Sequence, residues 1–350
     1  MVDGVEISGR RVGPGEPCFI IGEAGVNHNG SVELARKLVE VAAESGTDAV
    51  KFQSFKSDKL VTATAPKAAY QAEQSNQDES QFEMLRKLEL SVDAQRELQE
   101  LCRQRQILFL STPFEEESAD FLDQLGIGAF KIPSGEVTNL PFLAHVGRKK
   151  KPIILSTGMS TLAEVAAAVH TIRETGNAQI VLLQCTSNYP ADPADANLRA
   201  MNVMAQEFNV PVGYSDHTTG HEVALAAVAL GACAIEKHFT LDHTLPGPDH
   251  KISLEPKELR EFVRAVRTVE SALGTGEKKP AGSEADIAAV ARKSLVSACD
   301  IPANSIITLE MIAARRPGTG LSPALHDQLV GRKTRVSIPA DTVLTLDMFS

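Results

Sequence analysis

The stretch "VGYSDHTTGHEVALAAVALGACAIEKHFT", residues 212–240, decides the fold. It opens on a short apolar run ending in Ser215, Asp216 and His217, passes through a Gly/Ala-rich helical segment, and closes on a second run ending in Glu236 and His238. An apolar run of about four to eight residues between helices reads as a strand buried on both faces of a parallel sheet. The same unit recurs along the chain. Strand candidates "CFIIGEAG", "DAVKFQ", "ILFLST", "AFKIPS", "PIILSTG", "QIVLLQC", "VGYSDH" and "CAIEKHF" alternate with helical stretches such as "SVELARKLVEVAAESG" and "TLAEVAAAVHTIRETG". Many of the helices open at Ser or Thr and close near Gly, as capping requires. Eight such repeats predict an α/β fold closed into a (β/α)8 TIM barrel, because an open doubly wound sheet ordinarily needs about five or six.

From about residue 292 the pattern changes to short β-like pieces, and "IPANSIITLEMI" and "IPADTVLTLDMF" repeat one turn-then-strand pattern about 37 residues apart. The expected organisation is therefore a barrel over 1–276, a polar linker over 277–291, and a small β-rich domain over 292–350. Residues 57–82 form a long polar connection inside the barrel, which reads as a lid or binding loop. The 350 residues carry a net charge of −10, with no basic cluster interleaved with aromatics, which argues against nucleic acid or an anionic membrane as partner. Five scattered cysteines without CxxC spacing exclude a disulfide framework and read as small buried hydrophobes. No long apolar run or signal peptide is evident, so the expected location is the cytoplasm.

Barrel strands deliver their carboxyl ends to one face, where the following loops build the active site. Residues expected on that rim are Glu23, Asn27 and His28; Lys51 and Gln53; Ser111 and Thr112; Lys131, Ser134 and Glu136; Ser156 and Thr157; Thr186, Ser187, Asn188 and Tyr189; Ser215, Asp216 and His217; and Glu236 and His238. So many polar groups at the ends of buried strands imply a ligand surface. His217 and His238, on consecutive strands, either share a divalent ion or serve as hydrogen-bonded core residues or a general base. Lys51 and Lys131 sit in apolar strands and each needs an anion. Barrel carboxylates, a phosphorylated or carboxylated substrate, and a Schiff base are the three readings of those lysines. Glu23 is a base, a water-orienting group, or an ion-pair partner of a lysine. The loop "HTLPGPDHKISLEP" carries Asp242, His243, Asp249 and His250, and its Pro-Gly-Pro turn either holds an acidic residue over the barrel mouth or presents solvated turn residues.

The segments "IGEAGVNHNG", "VKFQSF", "LSTPF", "FKIPSGE", "IILSTGM", "LLQCTSNYP", "VGYSDHT", "IEKHFTLD" and "LPGPDHKISLEP" occur in the order found in the sialic acid synthase family, which the chain resembles over nearly its whole length. Its tail resembles the family's antifreeze-like (SAF, β-clip) domain, with "RRPGTGLSP" as marker. The resemblance implies a transferase that condenses phosphoenolpyruvate with an N-acetylated hexosamine and water, releasing phosphate. N-acetylmannosamine, giving N-acetylneuraminate, is the first expectation; a 6-deoxy diacetamido sugar, giving diacetyllegionaminate, is the second. It implies His217 and His238 as ligands of Mn2+ or Mg2+, and Glu23 as acid/base. It implies Lys51, Thr112, Lys131, Ser134, Ser156, Ser187 and Ser215 for phosphoenolpyruvate, although some members carry Asn where Ser187 stands. Gln53, Glu136, Tyr189, Asp249 and Arg316 match sugar-contacting positions, Arg316 from the tail of a partner in a domain-swapped homodimer. Two other readings compete. A metal-dependent aldolase would use pyruvate and release no phosphate, and a glycan- or ice-binding module would need no intact barrel site.

Overall fold

A computed structural model describes residues 2–68, 71 and 79–350. The chain divides into two compact units, Met1–Gly274 and Thr275–Ser350. In the first, eight parallel strands form the barrel: β3 (Phe19–Gly25), β4 (Ala49–Ser54), β5 (Leu108–Pro113), β6 (Phe130–Ile132), β7 (Ile153–Ser156), β8 (Ile180–Cys185), β9 (Val212–Asp216) and β10 (Ala234–His238). The ladder runs β5-β4-β3-β10-β9-β8-β7-β6, and β5 and β6 lie side by side to bring the barrel nearly to closure. All eight expected strands are present.

Side-chain alternation along each strand sorts the core into two clusters. Ile20, Phe52, Phe130, Leu155, Leu182 and Ile235 face outward and pack under the helices. Phe19, Ile21, Leu110, Ile154, Val181 and Leu183 face inward and fill the lower barrel. A hairpin the sequence reading did not find, β1 (Val5–Ile7) with β2 (Arg10–Val12), joins that inward cluster through Val5, Ile7 and Val12. Its two-residue turn places Ser8 and Gly9 at φ 50° and 81°, the left-handed geometry that matches strand twist. The inward apolar layers thus end below the carboxyl ends of the strands, where inward residues turn polar.

The helices start and stop where their capping residues demand. Ser31 caps Val32–Ser45 by accepting from the amide of Leu34, and Gly46 ends that helix at φ 79°. Thr161 and Glu164 form a capping box on Leu162–Glu174. The expected lid contains the described helix Ser57–Leu60 and the start of Gln81–Leu88, while residues 69–70 and 72–78 lie outside the described residues. Among the described residues, no helix is long and apolar enough to cross a membrane.

The second unit is β-rich, with an antiparallel pair β11 (Ser294–Ser297) and β12 (Ile312–Arg315) around a core that includes Leu295, Ile301, Ile307, Ile338 and Leu344. The sequence repeat is a structural repeat. Ile301 bridges Ile338, Asn304 and Asp341 both adopt left-handed backbone, and each arm ends in a single turn, Leu309–Met311 or Leu346–Met348. Asn and Asp tolerate that conformation because their short polar side chains can bond locally. Helix Ala285–Ala291, within the stretch read as linker, is tied to this unit by Gly318 N donating to Ala289 O at 2.7 Å.

Candidate active site

Above the apolar layers lies a cavity of about 470 Å3 at the carboxyl ends of the strands. It brings together Glu23, Lys51, Gln53, Thr112, Lys131, Ser134, Ser156, Ser187, Tyr189, Ser215, His217, His238 and Asp249. Seven of the eight strands supply residues directly, and the eighth, β8, supplies Ser187 and Tyr189 through the loop that follows it. Period-two alternation explains the selection. Lys51 is two residues above inward-facing Ala49, Lys131 two above Ala129, and Ser156 two above Ile154.

The floor is a buried charge network. Lys51 Nζ donates to Thr112 Oγ1 at 2.9 Å and lies 3.0 Å from Glu23 and 3.5 Å from Glu236. Lys131 Nζ lies 3.3 Å from Glu236, which also accepts from Ser215 Oγ at 3.0 Å. Burial raises Glu23 to about 7 against the pull of Lys51. Burial acts the same way on Glu236, but Lys131 and Lys51 outweigh it and hold that carboxyl at about 2. Burial lowers Lys131, whereas Glu23 and Glu236 raise Lys51 against it, so the floor sets two lysines against one firmly ionised carboxylate and a second that titrates near neutrality. Both lysines pair with barrel carboxylates, and both also line the cavity. Ser156 Oγ is buried with no hydrogen-bond partner, and such a hydroxyl is costly until a ligand satisfies it.

The histidines stand on the neighbouring wall, with ring centroids 5.3 Å apart and Tyr189 4.2 Å from the His217 ring. His217 Nδ1 pairs with Thr186 O at 2.8 Å, which makes that nitrogen the N–H and leaves its other nitrogen as a lone-pair donor. His238 is held well below the ordinary imidazole value by burial and by its proximity to His217. It is neutral, and its buried Nδ1 has no hydrogen-bond partner. Asp249, raised to about 6 by burial, places its carboxylate 3.8 Å from that nitrogen. Cys185 and the Thr186 carbonyl raise His217 against the effect of burial, and the two imidazoles, one anchored from behind, fit a divalent ion once His217 gives up its second proton. Among the described residues no group of three His, Cys, Asp or Glu side chains is set to hold one, so water and substrate oxygens would complete the shell.

One expected residue lies outside the lining of the cavity, and another belongs to the second unit. Glu136 ends the short turn Ser134–Glu136, and its carboxylate accepts from Asn139 Nδ2 at 2.7 Å, away from the cavity lining. Arg316 belongs to the second unit, where its Nε donates to Ala291 O at 2.9 Å. Glu236 was expected on the rim without a role, and two contributors, Cys185 and Gly158, were missed. Glu236 joins both lysines, and the alternation in "IEKHF" already put it on the face of His238. Cys185 lies 3.7 Å from His217 Nδ1. Gly158 donates its amide to Ser134 Oγ at 2.9 Å, and a Cβ there would stand 2.3 Å from Ser187 Oγ. A side chain at this position would displace both serine hydroxyls.

A parallel barrel whose strand ends gather lysines, hydroxyls and a pair of histidines around one cavity has the build of an enzyme site. The chain belongs to the NeuB family, which it matches over residues 38–278, and residues 292–350 match the SAF domain. The N,N'-diacetyllegionaminic acid synthase of Legionella pneumophila is 49% identical over 331 residues, 93% of each chain. The N-acetylneuraminate-9-phosphate synthase of Mus musculus is 38% identical over 335 residues, 95% of this chain and 93% of the other. The crystal structure of spore coat polysaccharide biosynthesis protein spsE from Bacillus subtilis, 36% identical, superposes with a TM-score of 0.68 over 99% of both chains. The chain is thus an enzyme of the phosphoenolpyruvate-dependent nonulosonate synthase kind.

Proposed function

We propose that the enzyme is an N,N'-diacetyllegionaminic acid synthase, condensing phosphoenolpyruvate with a 6-deoxy diacetamido hexose and water and releasing phosphate. The observation that carries the substrate is the 49% identity to the Legionella synthase across 93% of both chains, against 38% to the mouse sialate enzyme. That order reverses the sequence reading, which placed N-acetylneuraminate first. Shared barrel motifs could not separate the two, because they hold the chemistry common to both reactions.

In this reading Lys51 and Lys131 hold the phosphate and carboxylate of phosphoenolpyruvate, helped by Thr112, Ser134, Ser156, Ser187 and Ser215. C3 of phosphoenolpyruvate bonds to the aldehyde carbon of the open-chain sugar, water adds at C2, and the C–O bond to phosphate breaks. Mn2+ or Mg2+ held by His217 and His238 would supply Lewis acidity toward the sugar carbonyl. Glu23, titrating near neutrality, takes the proton of the attacking water or moves that of the sugar hydroxyl. Gln53 and Tyr189 border the sugar, and Asp249 orients it from the loop after β10. The Arg316 loop completes the site of a partner subunit in a tail-exchanged homodimer, a reading supported by the family resemblance and by its exposed position. The chain's surroundings are cytoplasmic in this reading.

The test is phosphate release from phosphoenolpyruvate with Mn2+, comparing N-acetylmannosamine with 2,4-diacetamido-2,4,6-trideoxymannose, and His217→Ala as control. Release that favours the diacetamido sugar and vanishes in the variant is expected. Release favouring N-acetylmannosamine returns the assignment to sialate, and no phosphate release from phosphoenolpyruvate, with product formed when pyruvate replaces it, points to an aldolase.

A further inference from the structure

The cavity lining divides by chemistry and by origin. Its charged and hydroxyl-bearing groups come mostly from strand ends, whereas Leu60, Val61, Met84, Leu85 and Leu88 come from the connection between β4 and β5. Met84 and Leu88 are buried with Val26 and Phe55, a small core that anchors helix Gln81–Leu88 beside the mouth. Leu60, Val61 and Leu85 are only half-buried and line the cavity. The amides on the same side, Gln71 and Gln81, bond to each other at 3.1 Å. A site whose remaining lining binds an anion thus carries one wall of aliphatic side chains.

We propose that Leu60, Val61, Met84 and Leu85 form a specificity wall for the deoxygenated, acetylated end of the sugar, receiving its C6 methyl and the methyl of its C4 acetamido group. This rests on the functional reading above. The sugar's carbonyl carbon must meet C3 of phosphoenolpyruvate above Lys51 and Lys131, beside His217 and His238 on β9 and β10. Its far end therefore points away from the histidines, and the wall follows β4, two strands around the barrel from β10. A methyl group placed there leaves water for an aliphatic surface. The C6 and C4 hydroxyls of N-acetylmannosamine would lose their water against these aliphatic side chains, with the neighbouring amides of Gln71 and Gln81 already bonded to each other. One such methyl discriminates by roughly 10- to 200-fold. The wall selects by what it withholds as much as by what it offers.

The experiment measures kcat/KM for both sugars, with phosphoenolpyruvate saturating, in the wild type, Leu85→Gln and Val61→Thr. Val61→Thr changes a methyl to a hydroxyl at nearly constant volume, so it guards against a folding failure in Leu85→Gln. A rise in Tm with phosphoenolpyruvate confirms an intact floor in each. The expected result is a preference for the diacetamido sugar that falls about tenfold in Leu85→Gln and severalfold in Val61→Thr, through the sugar's KM and not that of phosphoenolpyruvate. A wild type that prefers the diacetamido sugar, with the ratio unchanged in both variants, overturns the wall alone. A wild type that prefers N-acetylmannosamine overturns the functional reading and the wall with it.

Discussion

Two sets of buried lysines and carboxylates lie within one strand residue of each other, and they do different work. Glu236 and His238 face into the barrel, while Lys237 between them faces out. Lys237 Nζ donates to Asp216 Oδ2 at 2.8 Å and to the Thr218 carbonyl, and Asp216 Oδ1 accepts from Thr218 N and Oγ1 at 2.9 and 2.7 Å. That pair is complete. The inward set is not, since Glu236 serves two lysines at 3.3 and 3.5 Å and its Oε2 makes no hydrogen bond. A satisfied buried pair holds structure, and an under-satisfied one beside a cavity awaits a ligand.

The sharpest way to break this contrast is to remove one lysine from each set. Lys131→Met is expected to lower kcat/KM on the order of a thousandfold while Tm changes little, because Lys51 still neutralises Glu236. Lys237→Met strands the Asp216 carboxylate and is expected to cost about 3–5 kcal/mol in urea unfolding. Equal destabilisation by both substitutions would erase the distinction.

The same logic separates two histidine pairs. His28 accepts from Gly30 N at 3.0 Å, and His250 bonds Thr240 Oγ1 at 2.7 Å and lies 3.3 Å from Asn29 Oδ1, joining the loops after β3 and β10. Burial lowers both imidazoles to about 4, from an ordinary 6.5. Between those values the unfolded chain binds more protons than the folded one. Stability is therefore present above pH 6.5 and lost as pH falls toward 4, by an amount on the order of 3 kcal/mol per histidine. Urea midpoints across this window should show the loss, and His28→Asn, which keeps an acceptor for Gly30, should shrink it. A loss of unchanged size in that variant would assign the acid sensitivity to other groups.

The smallest effect sharpens the floor itself. Gly158→Ala sets a methyl against Ser187 and Ser134, and KM for phosphoenolpyruvate should rise about tenfold with little change in Tm. An unchanged KM would remove those serines from the anion site.

Most of the barrel was legible because its signals are local: apolar runs, capping residues, and a period of two that points every second strand residue inward. The N-terminal hairpin escaped because three-residue strands carry almost no periodicity, and their apolar residues gain meaning only against Phe19 and Leu183. Both histidines and both lysines could be placed on one rim from strand ends alone. Glu136 could not be kept off the lining, because a turn one residue past a strand redirects its side chain. Glu236 was visible as a residue but not as the partner of two lysines. Pairing across three strands is a property of barrel closure.

By itself the sequence determined the strand–helix order, the polar rim above an apolar interior, the repeat in the tail and the residue types available for chemistry. Those follow from local backbone preference and from which side chains can leave water. Only the tertiary structure decided which lysine met which carboxylate, which histidine nitrogen stayed unpartnered, and which serines converge over Gly158. Distances of about 3 Å between residues far apart in the chain are set by how eight strands close around a core, and no local preference encodes them.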